Sequence, residues 1–256
     1  IVYMTSTTVR VFTYSYTVGS GDGTATITLS GCTDLVGHAV TSSTTVSNNT
    51  FTVDNTGPTA ALAYSPAGPY KNGDSVTVTA TFNESMASTV PQITFTGQNS
   101  GVTTQGPTSM TFNSNTEYGA TYGVSTGNDT VDVTLTVGTD VVGNPITATP
   151  TSGATFVVDN TPPQNQDTVF DVSVFKKQGD TVTIVSSGVS SNTVWFAPTG
   201  TGSDEFIADV TTITTTSGTS TSITVPSSAG TYYIYVIDAA GNVSSPSSAT
   251  LTVDNT

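Results

Sequence analysis

The sequence predicts an all-β chain of tandem antiparallel β-sandwiches joined end to end in an elongated array. Three observations carry this. Residues 24–30, 75–82 and 130–137 alternate apolar and polar side chains with period two, as half-buried strands do, and no stretch sustains a 3.6-residue apolar period. Gly, Pro, Asn and Asp break the chain at intervals of about 8 to 12 residues, the spacing of short strands in a sandwich. The tetrapeptide Val-Asp-Asn-Thr occurs three times, at 53–56, 158–161 and 253–256.

Taken in order, residues 1–56 carry three candidate strands, at 11–18, 24–30 and 51–53. They read as the C-terminal part of a sandwich whose early strands are missing. Three strands alone leave a hydrophobic face and open edges. Completion comes either from strands that precede this stretch or from a strand donated by another subunit, and the ordinary linker at 53–56 favours the former. Residues 57–161 carry strands at 60–64, 75–82, 92–95, 118–124, 130–137 and 155–158, with an edge strand near 101–104. Residues 162–256 carry strands at 169–174, 181–185, 194–196, 222–225, 232–237 and 249–253. Pro58 and Pro162-Pro163 follow the first two tetrapeptides and mark them as linkers. A second element precedes each linker: TDLVGH at 33–38, TDVVGN at 139–144 and IDAAGN at 237–242.

Composition narrows the function classes. Four Lys and Arg against 18 Asp and Glu give a formal charge of −14, which repels nucleic acid and anionic lipid alike. With 9% charged residues, solubility rests on Thr, Ser, Asn and Gly, a surface typical of secreted β-proteins. Cys32 has no partner for an internal disulfide and is expected as a small buried hydrophobe. No apolar run reaches membrane-spanning length, so no membrane insertion is expected in this segment. One histidine, one cysteine and no Gly-x-Ser-x-Gly elbow assemble no acyl-transfer triad, and no phosphate loop or zinc spacing occurs. The expectation is a non-enzymatic, extracellular protein.

Residues 233–256, YIYVIDAAGNVSSPSSATLTVDNT, closely resemble the closing hairpin of prokaryotic immunoglobulin-like repeats, in which a strand, an Asp-x-x-Gly-Asn turn and a last strand precede an Asp-bearing linker. Such repeats are similar to those of bacterial adhesins, biofilm proteins and surface-layer proteins. The resemblance implies the fold, with Trp195 expected in the core position of the immunoglobulin tryptophan. It also implies a structural segment of a surface layer, stalk or fibre that self-associates into a fibre or lattice. The alternative it leaves is the rod or a ligand-binding part of an adhesin, with a glycan or cell-surface ligand.

In an immunoglobulin-like topology the incoming linker and the loops after the second and sixth strands share one pole. For the middle sandwich these bring Asp54, Asn55, Glu84, Asp140 and Asn144 together; for the last, Asp159, Asn160, Asp238 and Asn242. Converging carboxylates repel unless a hard cation joins them, and calcium takes 6 to 8 such oxygens. Two readings stand for the Asp-x-x-Gly-Asn element: a turn on its own, or a turn plus a calcium site. The second site is expected to be weaker, because residues 186–192 contain no carboxylate. His38 reads as a turn residue, as do Asp22, Asp74 and Asp180 beside glycines. Asn48, Asn83, Asn128 and Asn242 stand in Asn-x-Ser/Thr sequons and are candidate glycosylation sites.

Overall fold

The computed structural model describes residues 5–8, 11–39, 48–184, 192–202, 212–214 and 221–256. Four short strands open the chain: β1 (Thr5–Thr8), β2 (Val11–Thr13), β3 (Gly23–Thr26) and β4 (Thr50–Val53). They form two antiparallel ribbons, β1 with β2 and β3 with β4. Tyr16 packs edge-on against Phe51 beside the second ribbon.

The middle of the chain supplies β5 (Ala60–Ser65), β6 (Ser75–Phe82), β7 (Gln92–Gly97), β8 (Gln105–Ser109), β9 (Thr111–Ser114), β10 (Glu117–Gly123), β11 (Asp129–Thr136) and β12 (Thr155–Val158). One sheet runs β5-β6-β10-β9 and the other β12-β11-β7-β8. These are the A-B-E-D and G-F-C-C′ orders of an immunoglobulin-like sandwich. Period two dictates the core. In β6, Val76, Val78, Ala80 and Phe82 are buried while the intervening Ser and Thr face outward. They meet Ile93, Phe95, Val131, Val133 and Leu135 from the opposite sheet. Phe156 lies edge-on to Tyr64, Tyr70, Phe95 and Tyr122, joining the two layers through aromatic contacts.

The last part of the chain supplies α1 (Gln166–Val169), β13 (Val174–Lys176), β14 (Thr181–Ile184), β15 (Thr193–Ala197), β16 (Thr212–Thr214), β17 (Thr221–Thr224), β18 (Gly230–Ile237) and β19 (Thr250–Val253). A five-stranded sheet, β13-β19-β18-β15-β16, faces the ribbon β14-β17. Its core, residues 169–253, shares no side chain with the core of residues 60–158. The closing hairpin keeps one register three times: Gly23 faces Val53, Asp129 faces Val158 and Gly230 faces Val253. The all-β immunoglobulin-like sandwich expected from the sequence is therefore what these sheets form.

Several local expectations are corrected. Instead of a strand over 169–174 there is one helical turn and a strand beginning at Val174. Val169 and Phe170 are adjacent and both buried, which an extended strand with alternating faces does not allow. The C′ edge strand starts at Gln105 rather than near 101, because the Asp129 carboxylate holds the amides of Asn99 and Gly101 in a turn. Trp195 is buried but stands outside the core cluster; Val194 and Phe196 take the inward face, and Phe196 meets Phe170 at 5.3 Å. Cys32 is exposed, not buried.

Candidate functional site

The repeated tetrapeptide is a clasp. Its Asp accepts the amide of the Thr two residues on, at 3.1, 2.9 and 3.0 Å for Thr56, Thr161 and Thr256. The linker Asn holds the loop before the penultimate strand. Asn55 donates to the carbonyls of Gly19 and Gly21, Asn160 to those of Ser125 and Gly127, and Asn255 to that of Ser227. The carboxamide oxygens of Asn160 and Asn255 accept the amides of Asn72 and Gln178. Each linker is thus stitched to the strands that precede it.

The second repeated element stitches it to the sandwich that follows. In each turn the carboxylate of Asp34, Asp140 or Asp238 accepts backbone amides two and four residues on, as an Asx turn does. Gly37, Gly143 and Gly241 supply the positive φ, at 93°, 103° and 82°. The terminal Asn then reaches back across the junction. Asn144 donates to the backbone carbonyl of Asp54 at 3.1 Å, and Asn242 to that of Asp159 at 2.9 Å. Close approach at the first junction also requires Gly57, where a Cβ would lie 1.9 Å from the Pro145 carbonyl oxygen.

Against this frame Asp54, Glu84 and Asp140 gather, with one carboxylate oxygen from each within 4.8 Å of the others, the one such group among the described residues. Asp140 is buried and arrives on the β11–β12 connection, bridged to Met86 two residues past Glu84. Burial alone pushes the Asp140 carboxyl up, but the Asn144 side chain and the amides of Asn144, Val142 and Gly143 outweigh it and hold the group below its usual range. Glu84 goes the other way. Desolvation, then the charges of Asp54, Asp140 and Asp22, raise its pKa above the ordinary 4.5.

No protein-family model matches the chain, and no curated protein matches it. Among solved structures it is similar to the fibronectin(III)-like modules of Clostridium thermocellum CbhA, at 13% identity over 76% of this chain and 94% of that one, with a TM-score of 0.36. It is also similar to the Escherichia coli adhesin FdeC, at 16% identity over 80% and 68%, with a TM-score of 0.35. A third likeness is to the human OSCAR ligand-binding domain, at 10% identity over 77% and 98%, with a TM-score of 0.33. The sandwich assignment stands on the sheets, registers and cores described above.

The remaining candidates divide by what their atoms already do. The carboxamides of Asn55 and Asn160 serve the clasp. Asp159 and Asp238 belong to no metal-sized group among the described residues; the Asp159 carbonyl and the Asp238 carboxylate share the Asn242 amide nitrogen, and residues 185–191 lie outside the described residues. Asp22, expected as a plain turn former, belongs to the first junction: it accepts the Asn55 amide at 2.6 Å and the Thr56 hydroxyl, and its charge bears on Glu84. The signal for it is its place in the clasp, where the middle sandwich has Asn128 accepting the Asn160 amide. Among the sequons, Asn242 is 8% exposed, and its amide nitrogen donates to the Asp159 carbonyl and the Asp238 carboxylate. The amide nitrogen of Asn128 donates to Thr161, while Asn48 and Asn83 are exposed.

Proposed function

We propose that the chain is a structural segment of an extracellular cell-surface assembly, a surface layer, stalk or fibre, built of the C-terminal part of an immunoglobulin-like unit at 1–56 and of immunoglobulin-like units at 57–161 and 162–256. The observation that carries this reading is the recurrence of one cross-junction bond, Asn144 to Asp54 and Asn242 to Asp159. The repeated polar residues fix the path from one sandwich to the next, which is what a spacer that sets distance and angle requires. In this reading the chain self-associates into a fibre or lattice.

In this reading calcium tightens the first junction through Asp54, Glu84 and Asp140, with Asp22 nearby. The sequence supports it: after Arg10 the next basic residue is Lys71 and the one after that Lys176, so charge balance at this acidic junction has few cationic side chains to draw on. A hard divalent ion with oxygen ligands meets that demand. The test is calorimetry and X-ray scattering with calcium and with EDTA. Calcium is expected to raise the melting temperature and narrow the range of interdomain angles, with a midpoint near ~10⁻⁴ to 10⁻³ M, as in extracellular modules. Identical melting and scattering in both conditions would remove calcium from the reading.

A second reading, an adhesin whose exposed surface takes a glycan, draws on Phe112. It is 58% exposed and borders a groove with Met86, Val90 and Asn115, an aromatic face beside amides. Binding on a glycan array that Phe112→Ala abolishes would move the assignment there.

A further inference from the structure

The two junctions share one hydrogen-bond frame and differ in charge: three carboxylates gather at the first, and a lysine reaches the second. Lys71 sits at the trailing pole of the middle sandwich, and its ammonium donates to the carbonyl oxygen of Gly241, 170 positions further along the chain. Gly241 belongs to the same turn whose Asn242 holds the Asp159 carbonyl at 2.9 Å. Lys71 is itself fixed to the clasp. Its amide donates to Asp74 at 2.9 Å, the next amide, that of Asn72, donates to Asn160, and the Asp159 amide returns to the carbonyl of Tyr70 at 2.8 Å. The ammonium is therefore carried by a loop bonded to the linker, and it lands on the turn whose Asn242 joins the Asp238 carboxylate to the Asp159 carbonyl.

We propose that Lys71 is a built-in cationic latch for the second junction, fastening the middle sandwich to the Gly241 turn of the last. A tethered ammonium half-buried against a turn carbonyl needs no ion from solution, and its hydrogen bond is charge-assisted. The second junction accordingly holds its angle at any calcium concentration, while the first, with three carboxylates together, loosens when calcium is withdrawn. The contrast rests on the calcium reading above; the latch does not.

Spin-label distances test both. With Cys32→Ser as background, Thr26→Cys with Thr134→Cys spans the first junction, and Thr134→Cys with Ser245→Cys spans the second. Replacing Lys71 by Met is expected to broaden the second distribution about twofold, with or without calcium, since unfastened domain pairs move by default. Lys71→Arg is expected to keep it narrow, and circular dichroism melting checks that each variant is folded. A folded Lys71→Met protein with an unchanged second distribution overturns the latch, as does broadening of the wild-type second junction in EDTA. A first junction insensitive to EDTA overturns the calcium reading and leaves the latch standing.

Discussion

Asp140 and Glu84 lie side by side and respond to acid in opposite senses. The folded-state pKa of Asp140 is depressed, so its contribution to stability is present above the ordinary value of 3.8 and is lost as pH falls through the folded value. Glu84 has its folded pKa raised. The folded state then binds the proton more tightly, and stability falls as pH climbs from 4.5 through the raised value. In EDTA, Glu84→Gln is therefore expected to melt above wild type at neutral pH, with the gap closing on acidification; in calcium the ranking should reverse, because a ligand is lost. Melting curves at several pH values check both signs. Asp140→Ala removes the acceptor of three amides and is expected to lower the melting temperature of the middle sandwich by more than about 5 °C. The Asp of each turn was legible from its repeated spacing. Asp22 was not, because its partners are a linker more than 30 residues away that one sequence cannot bring to it.

Strands were legible where alternation was clean. β6 and β12 begin and end where the pattern does, since Thr and Val on opposite faces leave one register that buries the apolar set. The first segment of the last sandwich was not, because consecutive apolar residues at 169 and 170 suit a buried turn as well as a strand, and packing against Phe196 decides it. The inward face of β15 follows from its pairing with β18, which sets Trp195 opposite Tyr235 and Phe196 opposite Ile234. Phe196→Ala is thus expected to cost about 3–5 kcal/mol. The larger Trp195, replaced by Phe on the other face, is expected to cost under about 1.5 kcal/mol. Denaturant titrations read both, and equal losses would contradict the assigned faces.

At the scale of the whole molecule, separate cores predict separate unfolding. Leu135→Ala is expected to lower the transition of the middle sandwich by about 2–5 kcal/mol and leave that of the last in place, which calorimetry resolves as one moving and one fixed peak. The recurrence of the tetrapeptide was legible in the sequence, but not the direction in which its bonds run, which depends on backbone carbonyls that carry no sequence signature. One further consequence concerns load. In the last sandwich β13 runs parallel to β19, and in the middle one Tyr70 bridges Val158 in the same parallel sense. In the last sandwich the first and last strands are therefore direct neighbours pointing the same way, and in the middle one the segment following β5 meets the last strand in that sense. A pull on the two ends slides these segments past each other, so their hydrogen bonds carry the force together rather than parting one at a time. Single-molecule stretching is expected to show tall rupture peaks, because these bonds must break together.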